Sequence, residues 1–441
     1  AGAPCGPPGW AQRQPTNLNP HLGPGPAWCS MASTDGPGCF CTLWPKGGRY
    51  DQVNKDHMMR PSMAYQPGVR DSREAEIEYK RNMNKTMDGH GPPLSLLDNF
   101  RNLWTHIRGH PLSFLLTLVP VAILAPAIFE GRAEVIFALN FLAILPLAAV
   151  LGFATEELAM SVGDTMGGLL NATFGNAVEM ILSVFALKEG LTDVVKGSLL
   201  GSILSNLLLV LGMCFFVGGI KNHTQTFNAD GARAQSSLLL LAVLALVMPT
   251  LAGLSVSHKE DADELDFTEL AISRGAAIIL GIIYCLYLFF QLGTHPEYFQ
   301  AAAKDEEEEE EMTLSPMFSA GLLLGTTLIV AVCSEGLVGS VEGLTKKMGI
   351  KEGFVGVVLL PIVGNAAEHA TAVTVAVKDK MDLAMGVALG SSSQIALLVV
   401  PFTVLVGWAM DVPMDLNFNP VSTGILMLTV LIVGGLTSDG E

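Results

Sequence analysis

The sequence predicts an all-α, polytopic membrane protein built from two inverted five-helix repeats plus an extra N-terminal helix. Three observations lead there. Half of the 441 residues are hydrophobic and only 15% are charged, a composition of membrane proteins rather than of soluble globules. The apolar residues gather in ten segments, most of them near or above the ~20 residues that cross a hydrocarbon core. Two of those segments carry the same motif, Gly175-Asn176-Ala177-Val178-Glu179 and Gly364-Asn365-Ala366-Ala367-Glu368. In each, an Asn and a Glu three residues apart share one helical face.

Residues 1–93 are rich in Gly, Pro and polar side chains without periodicity, and are expected to be disordered. At 94–110, Leu96, Leu97, Phe100, Leu103, Trp104 and Ile107 recur at helical spacing with Arg101 and Arg108 between them. This reads as an amphipathic helix on the membrane surface, with Ser95 placed to cap it. Residues 111–130 hold the first transmembrane helix, Ser113–Phe129. The first repeat, 134–292, contains the spans Val135–Met160, Gly168–Leu187, Val194–Val217, Ser236–Leu254 and Leu270–Leu292. An acidic linker helix is expected at 300–312. The second repeat, 315–436, contains Pro316–Gly339, Gly353–Val377, Leu383–Val406 and Val421–Gly435. An eleventh span, the counterpart of Leu270–Leu292, is missing, so the second repeat reads as C-terminally incomplete, and either the chain as truncated or the gene end as misplaced.

The duplication rests on register. An offset of 189 residues carries Gly175 onto Gly364, and without a gap also Asp193 onto Asp382, Leu200-Gly201-Ser202 onto Leu389-Gly390-Ser391, and Leu208-Leu209-Val210 onto Leu397-Leu398-Val399. Chance supplies one such motif more easily than a motif with its flank. Five helices is an odd number, so the second copy enters the membrane from the opposite side. The two motifs then meet near the midplane.

The net charge of −17 argues against nucleic acid as a partner. Much of it sits in two loops: the unbroken acids Asp305–Glu311, and Glu260, Asp261, Asp263, Glu264, Asp266 and Glu269. Either a solvated linker or a cation-attracting surface at a pore mouth accounts for the first run. The second lacks EF-hand spacing. The cysteines show no zinc-binding spacing and read as unpaired thiols. Lys and Arg are too sparse beside the spans to set orientation.

A carboxylate inside a bilayer is expensive and points to function. Glu179 and Glu368 supply carboxylate oxygens, and Asn176 and Asn365 amide oxygens. Ser202 and Ser205 in one half, Ser391 and Gln394 in the other, add neutral oxygens from the following span. An all-oxygen set suits calcium, which takes six to eight such ligands in irregular geometry. No imidazole or thiolate cluster suggests zinc or copper. Gly175, Gly364 and Pro361 are expected to break the motif helices and free backbone carbonyls. Burial of an unpaired carboxylate favours its protonated form, and a divalent cation favours the ionised one. Cation and proton therefore exclude each other at such a site. Glu156 and Glu335, near the ends of preceding spans, read equally as proton relay or access groups and as caps. His369, beside Glu368 but about 100° round the helix, reads as a packed, hydrogen-bonded histidine, with a proton relay as the alternative.

The stretches GGLLNATFGNAVEMILS and VVLLPIVGNAAEHATAVTVA, with ATEELA, GSILSNLLLVLG and GSSSQIALLVVP, resemble the paired signatures of the CAX family, the vacuolar calcium/proton exchangers of fungi and plants. The resemblance runs from about Leu94 to Glu441. It implies an eleven-span fold, a vacuolar membrane location, a cytosolic N-terminus and acidic linker, and calcium uptake driven by protons, with Mn2+ as a second candidate cation. It places the family's central glutamates on Glu179 and Glu368 and its acidic helix on Asp305–Glu311. The missing eleventh span and the Gly/Pro-rich tail depart from the family pattern. The resemblance implies no resident cofactor; membrane lipid is the surrounding partner. A sodium/calcium exchanger and a passive channel stay open as alternatives. No Ser/His/Asp or metal-hydrolase arrangement supports an intramembrane enzyme.

Overall fold

The computed structural model describes residues 94–110, 112–256, 262–295 and 312–440, and among them the chain is helical with no strand. The tail at 1–93 and the acids Asp305–Glu311 lie outside the described residues. Helix is the expected form for a chain in hydrocarbon, where each span must satisfy its own N–H and C=O groups.

The first helix, α1 (Leu96–Gly109), opens with a capping box: the Ser95 hydroxyl accepts from the Asp98 N–H and the Asp98 carboxylate from the Ser95 N–H. Its apolar face, Leu96, Leu97, Phe100 and Trp104, is exposed. Its polar face is the one that packs. The Ser315 N–H donates to the buried Asn99 side chain at 2.7 Å, Asn102 donates to the Thr313 carbonyl at 2.8 Å, and His106 stacks on Phe153 at 3.6 Å. Apolar outward and polar inward is the reverse of a soluble helix and suits a membrane surface. A 3-10 turn, Ser113–Leu118, leads into α2 (Val119–Ile128), bent 112° from α1.

The first repeat comprises α3 (Ala133–Val162), α4 (Asp164–Phe174), α5 (Ala177–Lys188), α6 (Thr192–Lys221), α7 (Ala229–Val256) and α8 (Ala262–Phe289). The second comprises α9 (Pro316–Gly339), the short α10 (Val341–Met348), α11 (Glu352–Val377), α12 (Met381–Ala409) and α13 (Pro420–Leu436). Among the described residues, seven helices are long and apolar enough to cross a membrane. Two bent pairs and the shorter Pro420–Leu436 occupy the other expected segments. Leu244, Ile279, Leu328 and Leu428 are exposed on these helices, which hydrocarbon tolerates at no cost.

The halves interlock reciprocally. The equivalent helices α3 and α9 pack on each other, α5 packs on α9, and α11 packs on α3. α6 and α12 carry π turns at matching places, Ser205–Val210 and Ile395–Val399. α11 carries another, Val355–Leu359, just before Pro361. Proline has no N–H to return to the carbonyl four residues back, here Val357, so the helix is irregular there. That stretch lies against α6. A Cβ on Gly197 would stand 3.3 Å from the Gly356 Cα, and one on Gly201 would strike the Val357 carbonyl oxygen. Small residues four apart let the two backbones touch.

Candidate cation site

The two motifs are built differently. In the first half the helix breaks: α4 ends at Phe174, α5 starts at Ala177, and the axis bends by 44°. Asn176 sits in the break with φ −102° and ψ 15°. The break expected at Gly364 is absent. One helix runs from Leu360 to Val377 through Gly364 and Asn365, and its irregularity lies upstream, in the π turn before Pro361. The need for glycine at 364 is space, not a turn.

That space shows how the halves meet. A Cβ on Gly364 would collide with the Glu179 carboxylate, and one on Gly175 would lie 4.0 Å from Glu368 Oε1. Each motif glycine therefore faces the glutamate of the other half. The asparagines reach across in the same reciprocal way. Asn176 donates its amide nitrogen to the Ala172 carbonyl at 3.1 Å and to Gln394 Oε1 at 2.8 Å. Asn365 donates to the Pro361 carbonyl and to Ser202 Oγ, each at 3.1 Å. Both amide nitrogens are thus tied back, and Asn176 Oδ1 is left without a partner.

The unpaired atoms are the signature of the site. Asn176 Oδ1, Glu179 Oε2, Ser205 Oγ and Glu368 Oε2 are all buried and unpartnered. Glu179 is 6% exposed and Asn176 1%. Buried acceptors without donors are costly and call for an electropositive guest, a cation or a proton. Among the described residues no place gathers three or more His, Cys, Asp or Glu. Two carboxylates completed by amide and hydroxyl oxygens suit a hard cation that must also leave. A cavity of about 220 Å³ reaches this cluster from one side, lined by Gln235, Tyr287, Asp382, Gly386, Gly390 and Gln394. Gln394 belongs to both cavity and cluster.

The structure brings together Glu179, Glu368, Asn176, Asn365, Ser202, Ser391 and Gln394; the buried hydroxyl of Ser205 has no hydrogen bond to any of them. The structure does not bring Glu335 to them: that side chain is about half exposed and pairs with Lys188 at 2.9 Å. Glu156 is exposed. His369 is 9% exposed and hydrogen-bonds Asn206 at 3.0 Å, so it is a packed histidine.

Two residues escaped the sequence reading. Asn206, 1% exposed, joins His369 to Ser391; a lone polar residue in an apolar span was the signal. Glu157, 3% exposed, accepts from the Thr313 N–H and hydroxyl and from the Leu314 N–H, and so anchors the start of α9. Its position four residues after the buried Phe153 puts it on the inner helical face, which its neighbour Glu156 is not.

Comparison with known proteins follows the same lines. The sodium/calcium exchanger protein family matches residues 133–293 and 318–438. The vacuolar calcium ion transporter of Schizosaccharomyces pombe is 44% identical, over 79% of this chain and 83% of that protein. The Ca(2+)/H(+) antiporter of Synechocystis is 46% identical, over 74% and 90%. The solved structure of native YfkE superposes with a TM-score of 0.61 at 37% identity, covering 74% of this chain and 92% of that one. An H+/Ca2+ exchanger CAX structure, 14% identical with a TM-score of 0.55 over 74% and 80%, shares the fold. The chain belongs to the sodium/calcium exchanger family, in its CAX-type calcium/proton exchanger branch.

Proposed function

We propose that this chain is a secondary active antiporter that moves Ca2+ across a vacuolar-type membrane in exchange for H+. The observation that carries the reading is the facing pair of glutamates, each against the other half's glycine, with unpaired buried oxygens around them. The names of the vacuolar relatives support the substrate and the membrane.

The chemistry needs no covalent step. With both carboxylates ionised, the cluster offers a doubly negative cage to a divalent cation. Once the cation leaves, each bare carboxylate takes a proton rather than stay charged in a dry site. Loading protons expels calcium and loading calcium expels protons, so a proton gradient drives calcium uphill. With the amide nitrogens tied back by Ala172, Gln394, Pro361 and Ser202, only the amide oxygens are left to serve the cation. In this reading the N-terminal region and the linker at 300–312 face the cytosol, and Mn2+ is a second substrate, of similar charge and oxygen preference.

The test is calcium uptake by the reconstituted full chain into proteoliposomes with an acidic interior. Uptake should stop when an ionophore collapses the pH gradient and should be inhibited by Mn2+. Uptake indifferent to the pH gradient would indicate a passive channel, and uptake driven by sodium would indicate a sodium/calcium exchanger.

A further inference from the structure

Asn206 opens a difference between the two halves that the repeat conceals. It lies in the π turn Ser205–Val210, on the span that follows the first motif. Under the 189-residue offset its counterpart is Ile395, and the counterpart of His369 is Met180. The site thus carries a polar pair, one residue from each half, beside Glu368, where the equivalent pair beside Glu179 is apolar.

The pair is wired directionally. Asn206 Nδ2 donates to Ser391 Oγ at 3.1 Å, so Asn206 Oδ1 is the acceptor in its 3.0 Å bond to His369 Nε2. The Ser391 oxygen, having accepted from Asn206, must send its own hydrogen elsewhere. Its neighbours Ser392 and Ser393 turn back onto the Ala388 and Leu389 carbonyls of their own helix. Ser391 instead interacts with the Glu368 carboxylate. The donors of His369 and Asn206 thus run in series to Ser391, whose hydroxyl lies beside the Glu368 carboxylate. Ser202, the equivalent serine of the first half, accepts from Asn365, and the place of Asn206 is there taken by Ile395, which cannot donate.

We propose that Asn206 is a positioning residue of the cation site: braced by His369, it holds the Ser391 hydroxyl against Glu368, so that the second-half carboxylate is a fixed ligand while Glu179, without such a brace, is the adaptable one. The arrangement rests on the two-carboxylate exchange reading and adds an inequality between the two glutamates. A fixed ligand set binds its cation more tightly because less ordering remains at the moment of binding.

The test uses the full chain in acid-interior proteoliposomes, with calcium KM and maximal rate measured separately. Asn206→Ile alone strands a buried histidine and can fail to fold. The double variant Asn206→Ile/His369→Met installs the equivalent residues of the pair beside Glu179 and removes both polar partners together. It should fold, as read by thermal unfolding in detergent, and raise the calcium KM roughly five- to tenfold, the scale of one lost hydrogen bond, with little change in maximal rate. Should the double variant also misfold, Asn206→Val/His369→Leu, which likewise leaves neither partner stranded, measured alongside Ser391→Ala, asks the same question. Because the brace acts through Ser391, either change made in a Ser391→Ala background should add nothing further to KM. A folded double variant with wild-type KM overturns the proposal, and so does a full additional rise on top of Ser391→Ala. Glu368→Gln is carried in parallel. If it transports, the two-carboxylate reading itself fails; if it is inactive while the Asn206 variants keep wild-type KM, only the brace fails.

Discussion

At the scale of single residues, the site works because donors are spent and acceptors are not. The two asparagines give their amide hydrogens to carbonyls and to the opposite half, which leaves oxygen as the chemistry of the cluster. Glutamine at 179 or 368 keeps size and one oxygen but removes charge and the titrating proton. Glu179→Gln or Glu368→Gln should therefore cut proton-driven calcium uptake tenfold or more, roughly the weight that charge count carries at calcium sites, while thermal unfolding of the purified protein stays near wild type. Asn176→Ala removes only a neutral ligand and should cost about fivefold in calcium KM. Near-normal uptake by both Gln variants would reduce the glutamates to helix–helix contacts. Gly364→Ala is the sterically sharper change. Its methyl group lands on the Glu179 carboxylate, and uptake should fall although no ligand has been deleted. The motif residues were legible because a carboxylate in an apolar span stands out by its cost. The space requirement at Gly364 was not, because it depends on which half faces it; read along one helix, the same glycine suggested a break.

Among the elements, the all-helical class was legible from hydropathy, since twenty apolar residues in a bilayer have few choices but helix. What hydropathy could not show was the π turns and the unequal packing of equivalent helices. Gly197 and Gly201 of α6 are in backbone contact with α11, whereas a Cβ on Gly386, the equivalent of Gly197 in α12, would meet open space, beside the cavity. Periodicity treats these glycines alike; only the three-dimensional arrangement separates them. Gly201→Val should destabilise the protein by about 1–3 kcal/mol or more through overpacking, with loss of folded yield. Gly386→Val should fold with nearly wild-type stability. If the halves exchange packing during transport, Gly386→Val will nonetheless lose turnover, because the bulk added there blocks the arrangement that Gly197 and Gly201 now have; full turnover would show that α12 never closes in that way. The clamp at the start of α9 is equally specific. Glu157 holds three donors from Thr313 and Leu314 as a buried carboxylate. Glu157→Gln should cost about 1.5–3 kcal/mol, whereas Glu156→Gln, at an exposed position, should be close to neutral, both read by thermal unfolding.

For the whole molecule, the site lies where the halves meet, so its occupancy and the association of the halves are one equilibrium. The glutamate of each half stands against the motif glycine of the other, and each asparagine is held by the opposite half. A cation bound there bridges first repeat to second, and pulling the halves apart must release it. Any ligand that binds only the folded state stabilises it, by about 2.7 kcal/mol at about one hundred times its Kd. Calcium should accordingly raise the unfolding temperature of the detergent-solubilised protein in a saturable way. Protons compete for the same carboxylates, so the sign of the pH effect follows. As pH falls the carboxylates fill with protons, more calcium is needed for the same stabilisation, and at fixed calcium the shift shrinks. In Glu179→Gln/Glu368→Gln the calcium shift should vanish and the protein should lose this pH dependence. Glu335→Gln, altering an exposed glutamate paired with Lys188, should leave the shift intact, which separates general charge effects from occupancy of the site. A calcium shift of equal size at all pH values, or one that survives the double Gln variant, would mean that calcium binds elsewhere and that cation and proton do not share these two carboxylates.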